Sequence, residues 1–137
     1  MAPKNMLLDQ FKSHGNAVLV GSLSFWEGID VRGSALSLVI IDKLPFQSPG
    51  DPVFESKINM LKAKGGNPFM SLQLPQAIIT LKQGAGRLIR DEFDKGVLMI
   101  CDPRIINKPY GKRIWRSLPP FKRTRDENEA IDFLKSL

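Results

Sequence analysis

Three short, nearly unbroken apolar runs constrain this chain more than any other feature: Ala17–Val20, Leu36–Ile41 and Val97–Ile100. A strand with one wet face alternates apolar and polar residues, whereas a continuous run suits a strand covered on both faces. Each run stops at a polar or loop signal: Gly21-Ser22, Asp42-Lys43 and Asp102-Pro103. Between the second and third lie two helical patterns. Asp51-Pro52 is a good N-cap and first-turn pair, followed by Phe54, Ile58 and Leu61 on one face and closed by Gly65-Gly66. Leu74 to Ile89 sets Ile78, Leu81 and Leu88 among polar residues, the pattern of a longer amphipathic helix. Near the start, Leu7 to Lys12 reads as the end of a short helix stopped at His14-Gly15. Buried strands joined through helices predict an α/β fold, a parallel sheet with helical crossovers.

Three strands make a thin sheet, and a doubly wound nucleotide-binding domain usually opens with a strand, a phosphate loop and a helix. Here polar residues and a helix come first, and no G-x-x-x-x-G-K-[ST] loop occurs. The chain therefore reads as an N-terminally incomplete unit, the second half of something larger. Its 137 residues allow one ordinary domain. With 42% hydrophobic and 25% charged residues, disorder is not expected. The single cysteine, Cys101, excludes a disulfide framework, a Cys-rich zinc site and a four-cysteine iron–sulfur site built by this chain alone. Apolar runs fall well short of the ~20 residues a membrane helix needs, and the start Met-Ala-Pro-Lys-Asn lacks a signal-peptide core. A cytoplasmic protein is the expectation.

Two segments carry candidate chemistry. Ser22 to Gly33 (Ser-Leu-Ser-Phe-Trp-Glu-Gly-Ile-Asp-Val-Arg-Gly) follows the first apolar run. In a parallel sheet, the loop at a strand's carboxyl end is where ligands sit. Gly28 allows close backbone approach, and Asp30 can accept from a hydroxyl or hold a cationic side chain; on spacing alone, a turn with a capped helix is the stronger reading. The second segment is Gln83-Gly-Ala-Gly-Arg-Leu-Ile-Arg90. Gln83, Arg87 and Arg90 at i, i+4 and i+7 are expected on one helix face, which Gly84 and Gly86 leave unobstructed. Two arginines and a glutamine together suit a triphosphate, and an arginine finger typically contributes ~10³–10⁵ in rate. A solvated face paired to Asp91, Glu92 and Asp94 is the plainer reading, but it leaves two glycines inside a helix unexplained.

The charge is uneven. There are 20 Lys+Arg against 14 Asp+Glu, a net +6. Between Pro103 and Arg125 stand eight basic residues (Arg104, Lys108, Lys112, Arg113, Arg116, Lys122, Arg123 and Arg125) and no acidic one. Tyr110, Trp115 and Phe121 are interleaved with them. Such a run is either a solvated flank or a phosphate-tracking surface with aromatic platforms, with Lys112, Arg113, Arg116 and Trp115 as candidate DNA contacts. The sign then flips, and Thr124-x-x-Glu127 has a capping-box pattern ahead of Ala130, Phe133, Leu134 and Leu137. That predicts an amphipathic helix over 126–137. It either packs on its own sheet or presents Phe133, Leu134 and Leu137 to a partner.

Gln83-x-x-Gly86-Arg87-x-x-Arg90 resembles motif VI of superfamily 2 helicases, and Phe25-Trp-Glu-Gly-Ile-Asp30 resembles motif V of their DinG/XPD branch. Asp42-Lys-Leu-Pro-Phe-x-x-Pro49-x-Asp51-Pro52 is similar to that branch as well. The resemblance runs from about Leu7 to the C-terminus. It implies the C-terminal part of a second RecA-like (P-loop NTPase-type) domain in an ATP-dependent 5′→3′ DNA helicase of repair or replication. Motif V would span about 22–33 and motif VI 83–90. Arg87 and Arg90 would face the γ-phosphate, Gln83, Gly86 and Glu27 would line the nucleotide, and Gly28 and Asp30 would couple it to DNA. ATP and Mg²⁺ would be bound together with a first RecA-like domain, which would also hold any 4Fe-4S cluster, so this chain alone is expected to be inactive. Single-stranded DNA is the implied partner, and a member of the branch further implies the chi subunit of the DNA polymerase III clamp loader. Two readings compete with this one: a protein-interaction module working through the C-terminal helix, and a P-loop-like domain with no role on DNA.

Overall fold

The computed structural model describes residues 3–22, 36–47, 50–90 and 92–137. Helix α1 (Lys4–His14) ends where Gly15 turns left-handed at φ 76°. Strand β1 (Leu38–Ile41) and strand β2 (Val97–Ile100) form a two-stranded sheet among the described residues. The amide of Val97 donates to Ser37 O at 2.9 Å, and four residues further along both segments Cys101 N donates to Ile41 O at 2.8 Å. Equal steps in the same direction make the pair parallel. A parallel pair needs a long crossover, here running through α2 (Pro52–Ala63) and α3 (Leu74–Leu88).

Helix α2 begins with a legible local signal. Asp51 Oδ1 accepts from Val53 N at 3.0 Å, and Pro52 occupies the first turn, where its missing N–H costs nothing. Gly65, at φ 78°, turns the chain out of α2 in a conformation that disfavours a side chain. A five-residue π-helical segment, Phe69–Gln73, runs directly into α3. Beyond β2 follow α4 (Arg104–Asn107), α5 (Gly111–Ser117) and α6 (Glu127–Lys135).

The chain divides into two compact units. One comprises Met1–Ile40, Gly84–Met99 and Lys122–Leu137; the other comprises Ile41–Gln83 and Ile100–Phe121. The second holds the larger share of the buried apolar residues, with Ile41, Leu44, Phe54, Leu74, Ala77, Leu81 and Ile114 all buried. In the first, Leu8, Ala85 and Leu88 are buried. At the end of α3, a side chain added at Gly96 would run into Leu88 and reach 3.0 Å from Ser37 O, so glycine lets the approach to β2 lie close against that helix.

The expected third strand, Ala17–Val20, is not one. Its residues are irregular, with Val18 88% and Val20 86% exposed. Apolar composition makes a strand only where a neighbour completes the backbone ladder, and among the described residues β1 is paired with β2 alone. Nor is β1 covered on both faces, since Ile40 is exposed.

Candidate functional site

Helix α3 carries the first candidate group. Gln83 is exposed and Arg87, one turn later, is half-buried. Among the described residues, no atom outside the helix's own backbone lies within 4 Å of where a Cβ on Gly86 would stand, so that side of α3 beside Arg87 is left open by them. Arg90 is not on this helix face, contrary to the i+7 expectation. Helical hydrogen bonding ends with Ile89 N donating to Ala85 O at 3.0 Å, and Arg90 N donates instead to Asp94 Oδ2 at 2.8 Å. The Asp94 carboxylate takes the amide that would have continued the helix, and Arg90 lies half-buried just beyond it. The motif V candidates Glu27, Gly28 and Asp30 lie outside the described residues.

The loop after β2 holds a group that sequence reasoning missed. Asp102, only 2% exposed, is the sole charged side chain among the buried described residues. Its Oδ2 accepts from Leu44 N at 2.9 Å and from Arg104 Nη2 at 2.5 Å, and its Oδ1 accepts from Arg104 N at 3.1 Å. Arg104 Nε lies within hydrogen-bond reach of both oxygens, at 3.0 and 2.9 Å. The Arg104 side-chain hydrogen bonds hold the Asp102 carboxyl far below the usual carboxylate range, with help from the Leu44 amide and against the opposing effect of burial. Arg104 is raised in turn, chiefly by the same hydrogen bonds. The pair ties β2 to the 42–46 segment after β1. The signal was present as Asp102-Pro103-Arg104, but the first residue looked like a loop breaker and the last like one more surface charge.

Arg104 also lies over the Phe46 ring, 4.9 Å from its centroid. Phe46 belongs to an aromatic cluster with Phe69 at 5.4 Å and Tyr110 at 5.9 Å, and Phe69 and Tyr110 are 4.9 Å apart. Helix α5 starts immediately after Tyr110. Gly111 and Ile114 face inward, while Lys112, Arg113 and Arg116 are exposed. Trp115 is half-buried, with the Arg116 guanidinium 5.4 Å above its ring. Gly111 is required by close approach, because a Cβ there would collide with the Ile105 carbonyl of α4.

The basic segment is therefore not a uniform surface. Arg104 is held by Asp102, and Lys122 pairs with Glu129 at 2.9 Å. Lys108, Lys112, Arg113 and Arg116 remain exposed within the second unit.

Helix α6 forms as expected, but its cap is not Thr124. Asp126 is the N-cap, accepting from Asn128 N at 2.9 Å, while Thr124 Oγ1 accepts from Asp126 N and donates to Glu129 Oε2. An Asp one residue before the helix reaches its amides directly, which leaves Thr124 to brace the approach. Lys122, and then Thr124, pull the Glu129 carboxyl down from its ordinary value. No residue of α6 is buried: Phe133 is 43% exposed and Leu134 is intermediate, and Leu137, just past the helix, is 50% exposed. Phe133 and Leu134 are thus each partly covered and partly exposed.

Among the described residues, no three His, Cys, Asp or Glu side chains lie together as a metal site, and no helix is long and apolar enough to cross a membrane.

Helix α3 thus carries Gln83 and Arg87, and α5 carries an exposed basic face. Residues 1–121 match the Helicase C-terminal domain family, and the chain belongs to it. Over 131 residues, 96% of its length, it is 59% identical to the ATP-dependent DNA helicase YoaA of Escherichia coli. It is 53% identical over 133 residues to YoaA of Haemophilus influenzae, and 39% identical over 131 residues to the ATP-dependent helicase DinG of Mycobacterium tuberculosis. The alignments cover 21%, 21% and 20% of those proteins, so the chain spans about a fifth of the relatives it matches.

Proposed function

We propose that the chain works as the C-terminal part of an ATP-dependent DNA helicase, in the second of two RecA-like domains. The observation that carries this reading is the placement of Arg87 near the end of α3, beside the open surface at Gly86 and one turn after Gln83, in a chain of the helicase C-terminal family. Arg87 and Arg90 neutralise charge that develops on the transferring phosphoryl group, and Gln83 senses the nucleotide. Glu27 lines the nucleotide with Gln83 and Gly86, Gly28 and Asp30 couple that site to DNA, and Lys112, Arg113, Arg116 and Trp115 track the strand. Movement is 5′→3′ on single-stranded DNA.

The donor set of this chain decides what it holds by itself. It has no Walker A lysine to seat ATP with Mg²⁺, and one cysteine cannot ligate a 4Fe-4S cluster. ATP, Mg²⁺ and any cluster therefore depend on the first RecA-like domain. Exposed Phe133 on α6, the half-exposed Leu134 beside it and exposed Leu137 just past the helix support a second reading beside the first: docking of a replication partner such as the polymerase III chi subunit through these three residues.

The experiment is DNA-stimulated ATP hydrolysis by the full-length helicase. Arg87→Ala should lower kcat by roughly 10³-fold, the low end of an arginine finger's contribution, with the melting temperature unchanged. Near-normal turnover would remove Arg87 from the reaction.

A further inference from the structure

The aromatic cluster of the second unit has an open side. Asn67, Phe69, Met70, Pro109, Tyr110 and Arg113 line a groove of about 450 Å³, within the ~300–1,000 Å³ of small-ligand clefts. Two of these residues, Phe69 and Met70, open the π-helical segment, a distortion that concentrates at functional sites. The segment is held in place locally: Asn67 Oδ1 accepts from Met70 N at 3.3 Å, and Asn67 O accepts from Ser71 N at 3.0 Å. Tyr110 is fixed by its rings as well as its backbone. It meets Phe46 edge-on at 89° and Phe69 at 56°, and Phe46 in turn lies under Arg104, which the buried Asp102 holds.

The groove thus combines a rigid aromatic wall with a cation at its rim, and its charge selects the occupant. Arg113 lines it, Lys108 and Lys112 are exposed nearby in sequence, and no acidic residue occurs from Pro103 to Arg125. A purely apolar partner would have no use for this field, whereas a strand of nucleic acid presents one flat aromatic face per phosphate.

We propose that this groove takes one unpaired base of single-stranded DNA, stacked on Tyr110, with the adjoining phosphate on Arg113. The inference rests on the DNA-binding part of the proposed function and names a subsite for it outside the helicase motifs. Phe69 and Met70 flank the base, and Asn67 keeps both in register. Sequence preference is weak, because every base offers a π-face.

The test is binding of the full chain to a short single-stranded oligonucleotide carrying a fluorescent adenine analogue whose emission is quenched by stacking, measured across a salt series. The wild type should bind with salt-dependent affinity, quench the probe, and bind an abasic strand more weakly. Tyr110→Leu keeps the apolar volume and removes the aromatic face, so affinity should fall about 5- to 150-fold and quenching should vanish, while Tyr110→Phe retains both. Met70→Glu, at an exposed position that does not threaten folding, should weaken binding even if Tyr110→Leu proves unstable. Arg113→Gln should lower the salt slope by roughly 0.7. Salt-dependent binding that neither Tyr110→Leu nor Met70→Glu alters would overturn the groove while leaving the DNA reading intact. No salt-dependent binding by the wild type would overturn both. Displacement of the strand by poly-glutamate as readily as by unlabelled DNA would show a site for acidic peptides instead, and would also overturn the proposal.

Discussion

Replacing Asp102 by Asn tests whether the buried carboxylate is the bolt between β2 and the 42–46 segment. The side chain is 2% exposed and takes four contacts from Arg104 and one from the Leu44 amide. Asn preserves size but removes the charge and turns one acceptor into a donor facing Arg104. Breaking a buried ion pair on one side costs about 3–5 kcal/mol. The Arg104 side chain is 39% exposed, so water recovers part of its solvation and the lower end applies, about 3 kcal/mol. For a chain of this size that is a fall of roughly 10 °C in Tm. Chemical denaturation of the wild type and Asp102→Asn, followed by near-ultraviolet circular dichroism, measures the gap directly. Its pH dependence identifies the cause. The folded carboxyl is depressed below its unfolded value of about 3.9, so its stabilisation is present in full above that value and is lost as pH falls through the folded one. The gap between wild type and variant should therefore be widest near neutrality and begin to close below about pH 4. A gap under about 1 kcal/mol at pH 7, or one that does not change on acidification, would refute the argument.

Four further outcomes are expected. Gly111→Ala forces a Cβ into the Ile105 carbonyl, and it should destabilise by at least about 1–3 kcal/mol, the usual range for overpacking, read as a lower denaturation midpoint. Phe133→Ala should cost well under the ~3–5 kcal/mol of a fully buried aromatic, because the ring is 43% exposed; loss of partner capture without a shift in Tm would then assign α6 to docking. Purified alone, the chain should show no ATP hydrolysis above background with or without single-stranded DNA, and measurable turnover would contradict the proposed dependence on a first domain. In the full helicase, reversing Lys112, Arg113 and Arg116 to Glu should flatten the salt dependence of DNA binding by well over the roughly 0.7 per contact of a single strand, and an unchanged slope would make the run mere surface.

What could be read in the sequence was mostly local. Asp51-Pro52 and Gly65 bound α2 through interactions within a few residues, and the structure keeps them. Gly15 likewise ends α1. The errors arose where a residue's role depended on something distant or on a competing neighbour. Ala17–Val20 has the composition of a buried strand, yet β1 pairs elsewhere, with β2 some 60 residues on. Arg90 has the spacing of a helical residue, yet a carboxylate four positions later draws its amide away. Thr124 fits a capping box, yet Asp126 stands nearer to the amides that need capping. In each case the periodicity was sound and the partner was not visible in it.

The same reasoning governs the basic segment, where a count of charges says least about function. Eight cations between Pro103 and Arg125 suggest one continuous phosphate track. Arg104, however, has a buried carboxylate two residues away that fixes its guanidinium over Phe46, and from there it orders the aromatic wall ending at Tyr110. Lys122 belongs with Glu129 to the first unit and pairs with it there. An arginine already holding a buried anion gains little by meeting a phosphate, since it would have to leave Asp102 uncompensated to do so. The exposed cations of α5 carry no such penalty. Arg104→Ala should accordingly lower stability and loosen the platform, with the salt slope of DNA binding left as it is, whereas Arg113→Gln should change the slope and spare the fold. If the two variants exchanged these signatures, Arg104 would be the phosphate contact and the wall at Tyr110 would need another support.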